Sequence, residues 1–227
     1  MQVNVKLQVG ETIGFFVAFT LALFLPAGTL AWPAGWAFLL LFFGFYLAVT
    51  LWLFRHNPGL IQERLHLGTA DQQNWDKVLY PVMLVIPFGA MVFMSFDAVR
   101  FHWSSMPSWL QVVGAIILLG SFYLLFLTFR ENSYLAAVVR VQEERGQEVV
   151  STGPYQHVRH PMYAGIIVFM AGMCFLLGSW YGFPFAILFT IILAWRAVLE
   201  EKTLQDKLPG YAAYMVQVKY RLIPNVW

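Results

Sequence analysis

TIGFFVAFTLALFLPAGTLA (residues 12–31) and PAGWAFLLLFFGFYLAVTLWLF (residues 33–54), separated by one tryptophan, decide the fold class of this chain. A bilayer hydrocarbon core about 30 Å thick is crossed by about 20 helical residues at about 1.5 Å each, and both runs meet that length without a charge. Four more uncharged runs follow, at Val78 to Phe96, Ser108 to Phe129, Met162 to Gly178 and Phe183 to Trp195. They predict an all-α, polytopic integral membrane protein with about six transmembrane helices, the last two short. The Pro/Gly turn around Trp32, Pro33 and Gly35 and the link from Gly178 to Gly182 make hairpins of the first two and last two helices. Of the 227 residues 59% are apolar and 11% charged, against roughly 25% charged in a soluble domain, which excludes a water-soluble fold.

The basic residues follow the membrane. With both termini in the cytoplasm, the inner segments hold Lys6, Arg55, Arg64, Lys77, Arg130, Arg140, Arg145, Arg159, Arg196, Lys202, Lys207, Lys219 and Arg221, which is 13 of the 14, and only Arg100 lies outside. Lys/Arg asymmetry of this kind orients a membrane chain. It accounts for the net charge of +2 without a nucleic-acid partner. A cleaved signal peptide is the alternative for the first run, but its apolar length exceeds a signal core of about 7–15 residues, so all six helices are expected in the mature chain. The sole cysteine, Cys174, leaves no intramolecular disulfide and no thiolate metal cluster.

Two charged regions interrupt the helices on the inner side, Arg55 to Lys77 and Arg130 to His160, neither long enough for a separate soluble domain. The densest polar cluster runs from Gly153 through Tyr155, His157, Arg159, His160, Pro161, Met162 and Tyr163 to Gly165, at the entry to the fifth helix. Proline is favoured at a first helical position, which puts His160 at the cap. There the helical N–H groups and the macrodipole favour a carboxylate or another electron-rich group. The same residues would equally serve as interfacial anchors. No second ligand stands at metal spacing from His160, and no metal is assigned. Arg196 and Glu200 are four apart and share a helix face, either snorkelling to the interface or facing a polar pocket. Glu201 points elsewhere. The tail from Leu208 to Trp227 mixes tyrosines, basic and apolar residues, as an interfacial anchor or a pocket lid would.

Taken in order, Val149 to Tyr155, Arg159-His-Pro-Met-Tyr163, Arg196-x3-Glu200-Glu201, Gly210-Tyr-x2-Tyr214 and Tyr220-Arg-Leu-Ile-Pro224 closely resemble the isoprenylcysteine carboxyl methyltransferase family, which is related to phospholipid N-methyltransferases. The resemblance covers about Asn132 to Trp227. It implies a division into residues 1–130, the variable helices one to four, and residues 131–227, the methyltransferase region of cofactor loop, helices five and six and interfacial tail. It further implies a fold without a Rossmann domain, and the chain indeed has no Gly-x-Gly-x-x-Gly turn between a strand and a helix. By this resemblance S-adenosylmethionine would be held by Gln142, Gln147, Val149, Val150, Tyr155, His160, Pro161, Met162, Tyr163, Glu200 and Glu201. Arg196 matches the arginine thought to engage the substrate carboxylate. Relatives resemble Gly-His where this chain has Gly146-Gln147; the glutamine still donates and accepts hydrogen bonds but does not titrate near neutrality.

The expected activity is methyl transfer to a lipophilic or lipidated acceptor at the cytoplasmic face of the bilayer. A carboxylate acceptor needs no base, whereas an ammonium must first lose a proton. Alternatives are phospholipid N-methylation, small-thiol S-methylation and, from another class, a noncatalytic membrane assembly or transport role. Transport has little support, because most of the runs carry no charge midway.

Overall fold

The structure is a computed structural model that describes residues 4–65 and 71–227, so residues 66–70 of the first charged region lie outside the described part. Among the described residues every regular element is helical. Helix α1 (Val5–Ala27) opens with the Asn4 side chain accepting the Leu7 N–H at 3.1 Å, and it ends at Gly28 in the left-handed conformation, φ 72°. Pro33 takes the first position of α2 (Pro33–His56), where its missing N–H costs no bond. A short α3 (Pro58–Leu65) follows, then α4 (Asp76–Ser95), which runs on as a π-helical turn over Phe96–Phe101. The chain continues through α5 (Ser108–Glu131), α6 (Pro161–Leu177), α7 (Gly182–Lys207) and α8 (Tyr211–Gln217). Among the described residues five helices are long and apolar enough to cross a membrane, and α6, with 17 residues, is a sixth, shorter apolar helix.

The sixth apolar run stops at Trp195, which predicts a short last helix, yet α7 has 26 residues and carries Arg196, Glu200 and Glu201 within it. A hydropathy window closes at the first charge. The helix continues because other elements supply partners for those charges.

Successive crossings place α3, the loop 132–160 and α8 at one end of the bundle and the turns 28–32, 102–107 and 178–181 at the other. The turn end is fastened by Asp97, fully buried in the π-helical turn. Its carboxylate accepts the Ser104 N–H at 2.7 Å, the Ser104 hydroxyl at 2.7 Å and the Ser179 hydroxyl at 2.5 Å, tying α4 to the α6–α7 hairpin. Inside the bundle Phe19 stacks on Phe42 at 4.7 Å, and Phe42 meets Phe169 at 5.8 Å.

Among the described residues the most extensive helix–helix contact is that of α5 with α6. In lipid the chain tails are as apolar as leucine, so helices associate through close approach of small residues. A Cβ on Gly114 would collide with the backbone of Phe175 and Leu176; one on Gly172 would lie 3.0 Å from the Leu118 nitrogen; one on Gly165 would lie 2.8 Å from Leu125. This contact fixes α6, and with it the site at its N-terminus. Gly114→Val should therefore lower the thermal midpoint in detergent, at a cost of ~1–3 kcal/mol for overpacking. Gly120→Val, where nothing lies within 4 Å of the added carbon, should leave the midpoint unchanged.

Candidate active site

At the loop end, side chains of α4, α6 and α7 and backbone groups of the loop form one hydrogen-bonded chain. The Arg196 Nε donates to Asp76 Oδ1 at 2.9 Å, its Nη1 to the Tyr163 hydroxyl at 3.0 Å and its Nη2 to the Ala137 carbonyl at 3.0 Å. The Tyr163 hydroxyl in turn donates to Glu200 Oε2 at 2.5 Å. Asp76 is fully buried, and its other oxygen accepts from Gln72 Nε2 at 3.0 Å and the Val139 N–H at 2.8 Å. A buried carboxylate and guanidinium are tolerated when each neutralises the other and the remaining lone pairs and protons find partners. Both conditions hold here.

Glu201, one step along α7, is turned about 100° from Glu200 by helix geometry and makes a different knot. Its carboxylate accepts from Arg159 Nε at 2.6 Å and Arg221 Nε at 2.8 Å, and lies 3.2 Å from His160 Nε2. Arg159 also donates to the Val218 and Lys219 carbonyls at 2.7 and 2.8 Å. The backbone N–H groups of Arg159 and His160 donate to the carbonyls of Tyr220 and Arg221 at 2.9 Å each. The tail is thereby laced to the start of α6, which begins at Pro161 with His160 at the cap. The His160 ring stacks on Tyr163 with centroids 5.3 Å apart.

The preceding loop is closed by its own polar groups. The Gln142 N–H donates to Gln147 Oε1 at 2.8 Å, its side-chain amide to the Tyr134 carbonyl at 2.7 Å, and its Oε1 accepts from Arg145 at 2.6 Å. Arg140 joins this loop to α3 through two 2.8 Å bonds to Glu63, and it donates to Glu144 at 2.6 Å. That bond holds the Glu144 carboxyl below its ordinary pKa. The Tyr155 hydroxyl accepts from Asn132 at 2.8 Å, and its carbonyl accepts from the Tyr214 hydroxyl at 2.7 Å. Burial raises the phenols of Tyr155, Tyr211 and Tyr214, which keeps them as protonated donors.

These elements enclose a cavity of about 310 Å³, in the size class of roughly 300–1,000 Å³ that holds a drug-sized molecule. Gln147, Val149, Val150, Tyr155, His160, Pro161, Met162, Tyr163, Arg196 and Glu200 all line it. Two other expected site residues do not: Gln142, fully buried, braces the loop behind the wall, and Glu201 faces the arginine knot. Tyr211 and Tyr214 bring the tail onto the wall, while α3 and α4 add Arg64, Tyr80, Met83 and Leu84. Leu84 lines the cavity while 43% exposed on the apolar flank of α4, and exposed Glu148 lines it at the loop.

Sequence reasoning missed Asp76, Arg64 and Tyr80. The available signal was Asp76 itself, a lone carboxylate heading an apolar run, since an ionisable residue there marks a functional site by default.

Residues 109–209 match the family model described as phospholipid methyltransferase. The match spans α5, the loop, α6 and α7, and so contains Tyr155, Tyr163, Arg196 and Glu200. It supports the broader family of membrane methyltransferases and does not separate a prenylcysteine acceptor from a phospholipid one. The comparison with curated proteins gives no match.

The buried pair makes a thermodynamic prediction. Asp76→Ala leaves the Arg196 guanidinium buried without its counter-charge and should destabilise the protein by about 3–5 kcal/mol, read as a lowered thermal midpoint in detergent. Arg130→Ala, which breaks a pair whose arginine side chain is 49% exposed, should cost less than about 1 kcal/mol. Equal effects would contradict the structural weight given to the Asp76 pair.

Proposed function

We propose that the cavity binds S-adenosylmethionine and transfers its methyl group to a lipophilic acceptor, with the site and both termini on the cytoplasmic side. The observation that carries this reading is the convergence of Tyr163, Arg196 and Glu200 on one cavity within the segment that matches a methyltransferase family. In this reading residues 131–227 form the methyltransferase region and the earlier helices shape the acceptor path.

The wall suits a zwitterionic donor. Glu200 accepts hydrogen bonds from an ammonium or a ribose, the N-terminus of α6 at Pro161 and Met162 favours a carboxylate, and Val149, Val150 and Tyr155 offer apolar and aromatic surface to a base. When bound, the donor supplies a methyl group on a positively charged sulfur, whose displacement by an acceptor lone pair leaves a neutral thioether. The residues contribute mainly by positioning. Tyr163 links the two halves of the site, because its hydroxyl accepts from Arg196 and donates to Glu200. Three of the five Arg196 N–H groups are committed to protein acceptors, and the other two remain to orient an acceptor carboxylate or phosphate. A carboxylate attacks directly. The family match supports equally a second reading, a phospholipid amine, for which Glu200 or the bulk phase must first take a proton.

Calorimetric titration of detergent-purified protein with S-adenosylmethionine tests the donor. Wild type should bind saturably. Glu200→Gln should bind about 10–100-fold more weakly, as loss of a charged hydrogen bond worth about 1.5–3 kcal/mol requires. An unchanged affinity in the variant would remove Glu200 from the donor site.

A further inference from the structure

Arg64 differs from the other arginines on the cavity wall. Arg140, Arg159 and Arg196 each lie against a carboxylate, Glu63 at 2.8 Å, Glu201 at 2.6 Å and Asp76 at 2.9 Å. Arg64 has no carboxylate within 4.0 Å among the described residues; its Nη1 donates to the Leu135 carbonyl at 3.0 Å, and its guanidinium sits 5.0 Å over the Phe129 ring. A neutral carbonyl and a ring face satisfy its shape without cancelling its charge. Burial lowers its pKa, Tyr80 and Tyr46 oppose that shift and Arg196 adds to it, and the guanidinium stays protonated. Arg64 is half-buried, so its charge is partly desolvated, a cost that an anion in the cavity would offset.

Its position selects which anion. Arg64 and Arg196 hang from carbonyls two residues apart, those of Leu135 and Ala137. Tyr80 lies close enough to Arg64 to act on its charge, and Met83 and the 43% exposed Leu84, three and four residues further along α4 and so on the same helix face, also line the cavity. An anion at Arg64 thus has apolar surface leading away from it. We propose that Arg64 binds the anionic oxyacid group, a carboxylate or a phosphodiester, of an amphiphile whose apolar arm leaves the cavity past Met83 and Leu84. Calling that amphiphile the methyl acceptor rests on the methyl-transfer reading; the anion site does not.

The test measures binding of hexadecyl phosphate, hexadecanoate and uncharged hexadecanol to full-length protein in nonionic detergent, with S-adenosylmethionine titrated separately. Arg64→Gln removes the charge while keeping a donor for the Leu135 carbonyl, and Arg64→Lys restores the charge. Wild type should bind one or both anions saturably and hexadecanol weakly, and the preferred anion assigns phosphate or carboxylate. Arg64→Gln should lose about tenfold or more in anion affinity, the effect of a charged hydrogen bond, with partial recovery in Arg64→Lys and no change for S-adenosylmethionine. Anion binding that is absent from wild type, or equal in wild type and Arg64→Gln, overturns the proposal. So does a loss confined to S-adenosylmethionine, which would move Arg64 to the donor site. Anion binding without any S-adenosylmethionine binding would uphold the Arg64 site and reject methyl transfer.

Discussion

A guanidinium inside a bilayer-spanning helix must be neutralised, and the way this chain neutralises Arg196 arranges everything around it. An unpaired arginine at a helix centre costs about 2.5–3.5 kcal/mol on insertion scales. Asp76 supplies the counter-charge from the first residue of α4, and its second oxygen then captures the Val139 N–H. The loop backbone is thus drawn against α4, and the Ala137 carbonyl takes another Arg196 proton. Tyr163 completes the set from α6 and hands the chain of bonds on to Glu200. One buried charge therefore sets the entry of α4, the path of the loop and the direction of Glu200.

A second knot does the same for the tail. Glu201 gathers Arg159 and Arg221, and the tail backbone pairs with the cap of α6. Adjacent carboxylates on one helix thereby divide the labour: Glu200 faces the cavity and Glu201 holds the wall in place. With α6 pressed onto α5 through Gly114, Gly165 and Gly172, the cavity sits on a closely packed base, walled by mixed polar and apolar groups of the loop and by Tyr80, Met83 and Leu84 of α4.

The membrane fold was legible because apolar length is a direct statement about the bilayer, and the glycine-rich turns set the hairpins. Part of the cavity wall was legible too, through the motif order from Val149 to Glu200, while α3, α4 and the loop before Gln147 supply much of the rest. Three things were not. The true length of α7 was hidden because hydropathy ends at Arg196, whereas the helix is sustained by partners remote in sequence. Asp76 stands 120 residues from Arg196, and no local periodicity links them. Gln142 and Glu201 carry the same residue chemistry as wall-lining groups, and only the side of the backbone on which each falls separates bracing from lining.

The measurement that bears most directly on the account is transfer of radiolabelled methyl from S-adenosylmethionine by the purified protein in nanodiscs made from a total membrane lipid extract. The account predicts label in the lipid phase, reduced when Glu200 is replaced by glutamine and partly recovered at higher donor concentration. A folded wild type that binds the donor yet leaves every lipid class and added lipophilic carboxylate unlabelled would contradict it.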